Sequence, residues 1–306
     1  MNRVLVIGAA GMIGRKLTAR LLKEGVGELI QQDVVPFEGT VSDLSAPGEA
    51  EKLIAKRPDL IFHLAAVVSG EAEADFDKGY RVNLDGTRYL FEAIRKEGYK
   101  PKVVFTSSIA VFGAPFPDAI GDEFLNAPLT SYGTQKAIGE LLLSDYSRRG
   151  FFDGIGIRLP TICVRPGKPN KAASGFFSGI LREPLAGQEA VLPVPDTVRH
   201  WFASPRAAIE FLIHASRINT ELLGTRRNLS MPGLSATVAE QIAALGRVAG
   251  DKATRLIRRE PDQTIMRIVE GWPRNFDARR ALALGFRPDP CFEDIIRFHL
   301  EDELGR

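Results

Sequence analysis

Residues 4–14 read VLVIGAAGMIG, an apolar run that leads into a turn with glycines at positions 8, 11 and 14. The next residues, RKLTARLLKEG, have apolar side chains at helical spacing. In such a turn, Gly8 permits the sharp bend, Gly11 lets a pyrophosphate approach the backbone, and Gly14 lets the helix pack on the sheet. The phosphates lie at the free N–H groups of the helix start. This stretch predicts a dinucleotide-binding βα unit; a glycine-rich turn without a ligand is the alternative.

The residues that follow continue to alternate strand-like and helix-like patterns as far as residue 158. Short apolar runs predict strands at 4–7, 29–31, 60–64, 103–106 and 154–158, with a further short strand ending at Asp43. Helical periodicity predicts helices at 12–24, 48–56, 73–96 and 132–149. Buried strands that alternate with helices indicate an α/β chain, a Rossmann-type doubly wound parallel sheet.

After residue 158 the sequence pattern changes, because prolines and glycines occur at irregular intervals in 158–175 and 187–198 and predict loops around a ligand there. Beyond them we expect a helix at 205–218, a short strand at 226–230, a helix at 236–248, a strand at 254–259 and helices near 277–284 and 292–300. The prediction is a nucleotide-binding domain of residues 1–164, joined by about 196–224. A smaller, discontinuous C-terminal substrate lobe would consist of 165–195 and 225–306.

The second predicted strand ends at Asp33, 25 residues after Gly8. A carboxylate there accepts hydrogen bonds from the adenosine ribose and repels a 2′-phosphate, which favours NAD over NADP. Arg15 is a counter-argument, since a cation there suits a phosphate. Asp43 either contacts the adenine amine or is a turn residue at the surface.

A possible acid–base pair occurs in residues 130–140, which read TSYGTQKAIGE. Tyr132 and Lys136 lie four residues apart at the start of a helical pattern and share one flank of that helix. A phenol has a pKa of about 10, and a neighbouring ammonium stabilises its anion. On its own, such a pair is more often a feature of a helix rim.

Five segments occur in the order GxxGxxG, HLAA (63–66), VNLDGT (82–87), TSSIAVFG (106–113) and YGTQK (132–136). In this respect the chain resembles the extended short-chain dehydrogenase/reductase family over about its first 165 residues. The resemblance implies that Tyr132 takes a proton from a substrate hydroxyl while hydride leaves for NAD. It also implies that Lys136 holds the nicotinamide ribose and that Ser108 holds the substrate oxygen, with Ser107 as runner-up. Asn83 matches the family's helix asparagine, either a structural residue or part of a proton relay.

The catalytic residues implied are Ser108, Tyr132 and Lys136. The cofactor contacts implied are Gly8, Gly11, Met12, Gly14, Asp33, Asp43, Leu44, Leu64, Ala65, Ala66, Asn83, Tyr132, Lys136, Pro160 and Ile162. The predicted substrate contacts are Ser107, Ser108, Thr161, Arg165, Ser174 and Arg199.

Departures from the family pattern help to select among its members. Sugar-nucleotide dehydratases usually have an acidic pair beside the active-site hydroxyl, whereas Ile109 and Ala110 follow Ser108 here. Sugar-nucleotide epimerases typically have an asparagine where this chain has Thr161. Their Arg-Asp-Phe-Ile-x-Val-x-Asp segment appears as RHWFASPR (199–206), without either acid.

Cations near the predicted substrate lobe indicate a small acidic substrate, because an arginine fork binds a carboxylate through two hydrogen bonds. Arg165 and Arg199 are the better candidates, and Lys168 and Lys171 are weaker ones. In GAAGMIGRKL (8–17) and in residues 158–187 the chain is similar to dehydrogenases of four-carbon sugar acids, and this resemblance implies the oxidation by NAD of the 2-hydroxyl of such an acid. The alternatives are a nucleotide-sugar epimerase with transient hydride transfer to bound NAD, and a non-catalytic NAD-sensing protein.

The composition bears on which classes of partner the chain binds. With 306 residues, a net charge of +2 and 44% hydrophobic residues, the chain has an ordinary globular composition that favours neither nucleic acid nor a membrane surface. Two distant cysteines fit a reducing compartment, so a cytoplasmic location is expected. None of the four histidines is paired at metal-ligand spacing, so no metal site is expected. His63 is expected to pack at a strand end, and His200 either packs or contacts substrate.

Family members commonly dimerise through two helices, here 73–96 and 132–149, so a homodimer is expected.

Overall fold

The computed structural model describes residues 3–167 and 174–306. They form two compact units. Within these described residues, the first consists of 3–111, Thr130–Arg158 and Ile209–Ser230, and the second of Phe112–Leu129, 159–167, 174–208 and Met231–Arg306. Lys168 and Lys171, predicted as weaker substrate ligands, lie outside the described residues.

The strands account for most of the predicted apolar runs. In chain order they are β1 (Arg3–Ile7), β2 (Glu28–Asp33), β3 (Thr40–Val41), β4 (Leu60–His63), β5 (Lys102–Ser108), β6 (Ile120–Gly121), β7 (Asp153–Leu159), β8 (Thr161–Ile162), β9 (Ala190–Leu192), β10 (Arg199–Ala203), β11 (Asn228–Ser230), β12 (Leu234–Thr237), β13 (Ile257–Arg259) and β14 (Phe276–Asp277).

The α-helices lie between them. They are α1 (Met12–Lys23), α2 (Glu49–Ile54), α3 (Ser69–Ala74), α4 (Phe76–Gly79), α5 (Gly86–Glu97), α6 (Ser131–Arg148), α7 (Gly175–Leu185), α8 (Pro205–Arg217), α9 (Val238–Ala249), α10 (Asp251–Thr254), α11 (Gln263–Glu270), α12 (Arg279–Ala283) and α13 (Phe292–Leu304). A π-helical turn covers Tyr80–Asp85, and 3₁₀ turns cover Ile109–Val111 and Thr220–Leu223.

A seven-stranded sheet forms the centre of the first unit, in the order β11-β7-β5-β4-β1-β2-β3. β1 pairs in parallel with both β2 and β4, so that Ile7 is level with Gln32 and His63. The strands that follow β1 in the sequence, β2 and β3, therefore lie on one side of it, and β4, β5 and β7 lie on the other side. Ligands of such sheets bind at the carboxyl ends of the strands, where this order reverses. The predicted Rossmann-type doubly wound parallel sheet is confirmed.

The core of the first unit explains the unbroken apolar runs of its strands. Val4, Leu5, Val6 and Ile7 of β1 are all fully buried. A parallel sheet with helices on both faces covers both sides of each central strand, so alternation of polar and apolar residues is lost.

The single helix predicted at 73–96 is wrong. The chain forms α3, α4, a π-helical turn and α5 instead. Asp75 has a non-helical backbone (φ −132°, ψ 87°), and its side chain accepts a hydrogen bond from the Lys78 N–H. An aspartate that bonds to a nearby backbone N–H competes with helix propagation, which explains the first break. The π-helical turn carries Asn83.

The second unit contains strands inside the two segments predicted as loops, with β8 in 158–175 and β9 in 187–198, and α7 occupies most of the chain between them. α7 buries Phe177, Ile180, Leu181 and Leu185, and these residues have helical spacing that the surrounding glycines and prolines obscured. β12, β10 and β8 form a three-stranded sheet, and β9 pairs with β13 and β6 with β14. The expectation of loops in 158–175 and 187–198 is therefore wrong at β8 and β9.

The strand predicted at 226–230 belongs to the large sheet. β11 pairs in parallel with β7, with Leu229 opposite Ile157. The prediction had placed this strand in the smaller lobe. A three-residue strand carries too little periodicity to indicate which sheet it extends.

Candidate active site

The glycine turn has the geometry that a phosphate site needs. Gly8 has a φ of +87°, and a Cβ added to it would lie 2.7 Å from the Ala65 nitrogen. A Cβ on Gly14 would lie 2.1 Å from the Gly8 oxygen, so a larger residue would push α1 away from the turn. Gly11, in contrast, would meet only the Gly8 oxygen, at 3.4 Å. Gly8 and Gly14 therefore need to be glycine for packing, whereas Gly11 leaves open space beside the turn.

The start of α1 lies at this open space. Gly11 is the residue before the helix, and no side chain caps it. The first N–H groups of a helix have no partners within the helix, and together with the helix dipole they favour an anion. Met12 opens the helix beside them. The turn therefore fits the pyrophosphate of a dinucleotide.

Asp33 lies beside the same turn. One of its carboxylate oxygens accepts a hydrogen bond from the Ala10 N–H at 2.9 Å, and the other accepts one from the Val34 N–H at 2.7 Å. The structure thus brings the predicted ribose ligand and the glycine turn together. These two bonds fix the position of the carboxylate at the end of β2.

Asp43 has protein partners of its own. It accepts hydrogen bonds from the Ser45 N–H at 2.9 Å and the Ser45 hydroxyl at 2.6 Å, and it forms an ion pair with Arg81 at 3.3 Å. These contacts are those of a turn residue, the second of the two interpretations given above. Leu44, next to it, is buried.

The segment after β4 is attached to the glycine turn. Leu64 and Ala65 donate backbone hydrogen bonds to the Ile7 carbonyl at 2.9 and 3.1 Å. Ala66 follows Ala65 in this segment. Asn83 then holds the next residue, accepting from the Val67 N–H at 2.8 Å and donating to the Val67 carbonyl at 3.0 Å.

Asn83 also donates to the side chain of Gln135 at 2.7 Å. Both of its amide hydrogens are therefore used, and the residue is 3% exposed. Its side chain acts as a clamp between the π-helical turn, the segment after β4 and α6. This arrangement matches the structural interpretation of Asn83.

The predicted catalytic residues lie in the first unit, on β5 and α6. Ser108 is the last residue of β5. Tyr132 and Lys136 occupy the first turns of α6, which Thr130 caps by accepting from the Gly133 N–H at 3.0 Å. The Lys136 nitrogen lies 5.8 Å from the centre of the Tyr132 ring. The predicted phenol–ammonium pair is thus brought together on one helix flank.

Gly139, which the sequence did not single out, sets the distance between α6 and β5. A Cβ on Gly139 would lie 2.7 Å from the ring of Phe105. Glycine therefore permits the close approach by which the Lys136 ammonium reaches the Thr106 carbonyl, at 2.9 Å. The signal was present in the sequence as a small residue three positions after Lys136, on the same face of the helix.

The two candidate serines differ in what their hydroxyls do. The Ser107 hydroxyl donates to the Glu140 carboxylate at 2.6 Å, and the residue is 3% exposed. The Ser108 oxygen accepts from the Ala110 N–H at 3.1 Å, a contact that does not use the hydroxyl hydrogen. Neighbouring residues of a strand point to opposite faces, so only one of the two serves a given side of the sheet. These contacts favour Ser108 over Ser107 as the residue that holds a substrate oxygen.

Burial dominates the electrostatics around Lys136. It lowers the pKa of the ammonium from 10.5 to about 8, and the negative charge of Glu140 opposes this shift. His63, which is 1% exposed, has its pKa lowered to about 3, first by burial and second by the charge of Lys136. A cation at Lys136 and a neutral imidazole at His63 are the expected states near neutral pH.

The hydrogen bonds around His63 determine its tautomer. Its Nε2 lies 2.9 Å from the Thr87 hydroxyl oxygen, and that hydroxyl donates its only hydrogen to the Asn83 carbonyl at 2.7 Å. His63 Nε2 must therefore be the donor to Thr87. The imidazole packs at the end of β4 as a structural residue.

The remaining predicted substrate residues belong to the second unit. Thr161 lies between Pro160 and the buried Ile162, and its hydroxyl is 2.7 Å from His200 Nε2. Burial lowers the pKa of His200 to about 4, and the imidazole stacks on Phe177 with ring centres 5.1 Å apart.

The two predicted arginine ligands make contacts with their own unit. Arg165 donates from Nε to the Ile162 carbonyl at 3.2 Å, and Arg199 donates to the Ser235 carbonyl at 3.0 Å. Arg199 also forms an ion pair with Glu240 at 3.3 Å. Ser174 immediately precedes α7. The role of these residues toward a substrate remains a prediction.

Residues 3–167 and 174–306 contain no group of three or more histidine, cysteine, aspartate or glutamate side chains arranged to hold a metal ion. None of the helices in those ranges is both long and apolar enough to cross a bilayer.

Comparison with known proteins identifies similar chains. Residues 4–203 match the sequence model of the NAD dependent epimerase/dehydratase family. D-erythronate dehydrogenase of Cupriavidus necator is 48% identical, with 98% of each chain covered. D-erythronate dehydrogenase of Haemophilus influenzae is 41% identical over 99% of this chain and 100% of the relative.

A solved structure is also similar over the whole chain. It is the crystal structure of a protein from Agrobacterium tumefaciens named nucleoside-diphosphate-sugar epimerase. The identity is 68%, the TM-score is 0.94, and 99% of this chain and 95% of that chain are covered. The names of these relatives therefore point to two different reactions.

Proposed function

Because the chain belongs to the NAD dependent epimerase/dehydratase family, we propose that it oxidises the 2-hydroxyl of a small sugar acid, such as D-erythronate, with NAD. The family and the relatives confirm three predictions. The chain is an extended short-chain dehydrogenase/reductase, it is a dehydrogenase that acts on CH–OH groups, and its cofactor is NAD. The observation that carries the choice of substrate is the match to two D-erythronate dehydrogenases over nearly the full length of the chain.

The residues of the first unit suit this reaction. Gly8, Gly11 and Gly14 would receive the pyrophosphate, and Asp33 would accept the hydroxyls of the adenosine ribose. Bound NAD supplies a hydride acceptor. The chain's own residues must then bind the sugar acid, orient its hydroxyl and remove one proton.

Tyr132 is the proposed general base. Its phenolate would accept the proton of the substrate's 2-hydroxyl, which leaves a carbonyl at that carbon once hydride has departed. The Lys136 ammonium stabilises the phenolate by charge attraction, and its position is fixed by the bond to Thr106. Ser108 would donate its hydroxyl hydrogen to the substrate oxygen and so orient it for proton removal.

The second unit would hold the acid group of the substrate. Arg165 and Arg199 are the proposed ligands, with Thr161 and Ser174 as polar neighbours. Arg165 contacts the Ile162 carbonyl, and Arg199 contacts Ser235 and Glu240, so both guanidinium groups have partners within their own unit and both remain candidates. Arg165→Ala would raise the KM for D-erythronate with little effect on the KM for NAD if this assignment is right.

A direct assay tests the proposed reaction. Purified protein is incubated with NAD and D-erythronate, and NADH formation is followed by absorbance; L-erythronate and five- and six-carbon aldonates test stereochemistry and chain length. Turnover of D-erythronate is expected. Absence of NADH with every four- to six-carbon aldonate would contradict the proposal.

A nucleotide-sugar epimerase is the second candidate, favoured by the name of the protein from Agrobacterium tumefaciens. In that reaction hydride returns to the same substrate, so NADH does not accumulate. A nucleotide sugar would then raise the melting temperature of the protein, and an aldonate would not. Thr161 and the segment RHWFASPR, which lacks both epimerase acids, argue against this candidate.

We also propose that two copies associate through α5 and α6. Leu141 lies on α6 and is 69% exposed, so its side chain is available to pack against a second copy. Leu141→Glu should convert a dimer to a monomer in size-exclusion chromatography with light scattering. Leu222→Glu is the matched control, because Leu222 is also 69% exposed but lies outside both helices. A wild-type monomer would refute this proposal.

The predicted cytoplasmic location and the expected absence of nucleic-acid partners remain predictions.

A further inference from the structure

Glu140 carries a buried carboxylate behind the proposed catalytic residues. It lies one helical turn after Lys136 on α6 and is 1% exposed. One carboxylate oxygen accepts from the Ser107 hydroxyl at 2.6 Å and from Arg158 Nε at 2.8 Å, and the other accepts from a terminal nitrogen of Arg158 at 2.8 Å. Two parallel bonds of this kind hold a carboxylate in a fixed plane.

These bonds connect three elements. Glu140 lies on α6, Ser107 on β5 and Arg158 on β7. Ser107 immediately precedes Ser108, and successive strand residues point in opposite directions. A bond that fixes Ser107 therefore also fixes the direction in which Ser108 leaves the sheet.

Glu140 also contributes to the charge environment of Lys136. Residues four apart on a helix are neighbours, with about 5–6 Å between their Cβ atoms. The other titratable or charged groups around Lys136 and Glu140 are Tyr132 on the same helix, His63 on β4, and Arg158 on β7, which is paired with Glu140. Lys136 further donates to the Thr106 carbonyl and lies 4.9 Å from the centre of the Phe105 ring.

Among these groups, Glu140 is the one whose charge favours the ammonium form. Burial lowers the pKa of Lys136 to about 8, and Glu140 acts in the opposite direction. His63 is neutral and contributes no compensating charge. Without the carboxylate, the Arg158 cation would lie in the interior without its partner and would repel Lys136.

We propose that Glu140 is a positioning residue of this site: its buried carboxylate, held by Arg158, keeps Lys136 charged and fixes the Ser107–Ser108 end of β5. Removing the charge from Glu140 makes Lys136 lose its proton at a lower pH, so a smaller fraction of the enzyme carries the cation that stabilises the Tyr132 phenolate. This inference rests on the proposed roles of Tyr132 and Lys136, but its central measurement needs no substrate.

The test is the titration of Lys136 itself. Protein labelled with ¹³C at the lysine Cε position is titrated by NMR, and the Lys136 signal is identified by its loss in Lys136→Arg. Glu140→Gln keeps a hydrogen-bond acceptor but removes the charge. It should lower the pKa of Lys136 by about one unit or more. An unchanged Lys136 pKa in a folded Glu140→Gln protein would overturn the proposal.

Glu92→Gln is the matched control. Glu92 on α5 also accepts hydrogen bonds from an arginine, Arg95, and from a hydroxyl, that of Tyr146. This variant should leave the Lys136 titration at its wild-type position. An equal shift in Glu92→Gln would show a general effect of lost surface charge and would count against Glu140.

A second variant addresses folding. Glu140→Gln leaves the Arg158 charge without a partner and can fail to fold, whereas Glu140→Gln combined with Arg158→Gln buries no charge at this position. The double variant should also show a lowered Lys136 pKa, because it lacks the Glu140 carboxylate, the group whose charge raises that pKa. A wild-type Lys136 pKa in this protein would overturn the proposal as well.

An activity measurement separates this inference from the proposed function. With NAD and D-erythronate, a fall of about one unit from a Lys136 pKa of about 8 should make Glu140→Gln reduce kcat about twofold at about pH 7 and about fivefold at about pH 8. The pH profile of kcat should shift accordingly, while Glu140→Asp, which keeps the charge, should recover most of kcat. If the wild type oxidises no aldonate but Glu140→Gln still lowers the Lys136 pKa, the proposed substrate is wrong and the role of Glu140 stands. If the wild type is active and neither the Lys136 pKa nor the pH profile changes, the role of Glu140 is refuted.

Discussion

The ammonium of Lys136 donates a hydrogen bond of 2.9 Å to the main-chain carbonyl of Thr106, two residues before Ser108. This bond joins the helix that carries Tyr132 to the strand that carries the proposed catalytic serine, and both elements belong to the same compact unit. The relative placement of the acid–base residues is therefore a property of the nucleotide-binding sheet and its helices.

Replacement of Tyr132 by phenylalanine should abolish catalysis and leave the fold intact. Without the phenol no group of this helix accepts the substrate proton, so we expect kcat to fall by at least about 1000-fold. NAD binding, measured by calorimetry, should change little. Tyr146→Phe is the control: Tyr146 lies on the same helix but bonds to Glu92, and this variant should retain kcat. Substantial activity in Tyr132→Phe would contradict the proposed general base.

The sequence predicted the glycine turn and the helix of Tyr132 and Lys136 well, because their signals are local. The glycines at 8, 11 and 14 each occupy a position where the structure explains the residue, and Asp33 ends a strand beside them. The Tyr132–Lys136 spacing needs only one helix to bring the two side chains together.

What the sequence did not reveal depends on contacts between residues far apart in the chain. Glu140 meets Arg158 and Ser107 across 18 and 33 residues, and no local pattern marks such a triad. The break at Asp75 depended on one side chain that competes with the helix. β11 is three residues long, so its place beside β7 could be known only from the assembled sheet.

The two serines should differ in their kinetic roles. Ser108→Ala removes the hydroxyl proposed to hold the substrate oxygen, and kcat should fall about 100-fold. Ser107→Ala removes a hydrogen bond to Glu140 instead, so it should lower the melting temperature and reduce kcat less than Ser108→Ala does. Steady-state kinetics and thermal unfolding of both variants decide the assignment. A larger loss of kcat in Ser107→Ala would reverse it.

Asp33 should govern the choice between NAD and NADP. Asp33→Asn keeps an acceptor for the Ala10 N–H but removes the charge that repels a 2′-phosphate. We expect the ratio of kcat/KM for NAD to that for NADP to fall at least about tenfold. Asp43→Asn is the control, since the Asp43 carboxylate is engaged by Ser45 and Arg81 and should affect this ratio less. An unchanged ratio in Asp33→Asn would exclude the carboxylate as the discriminating group.

Acid should destabilise the protein through its buried histidines. The pKa of His63 is about 3 in the folded state, against 6.5 without burial, so the unfolded chain takes up the proton first as pH falls. The contribution of neutral His63 to the free energy of unfolding is therefore fully present above pH 6.5. It is lost between pH 6.5 and 3, at about 1.4 kcal/mol per pH unit. His63→Gln keeps a donor for Thr87 but does not titrate, so the free energy of unfolding from urea titrations should depend less steeply on pH in this window. Since the pKa of His200 is lowered to about 4, adding His200→Gln should reduce the slope again. Equal slopes in the wild type and His63→Gln would mean that His63 is not held neutral by burial.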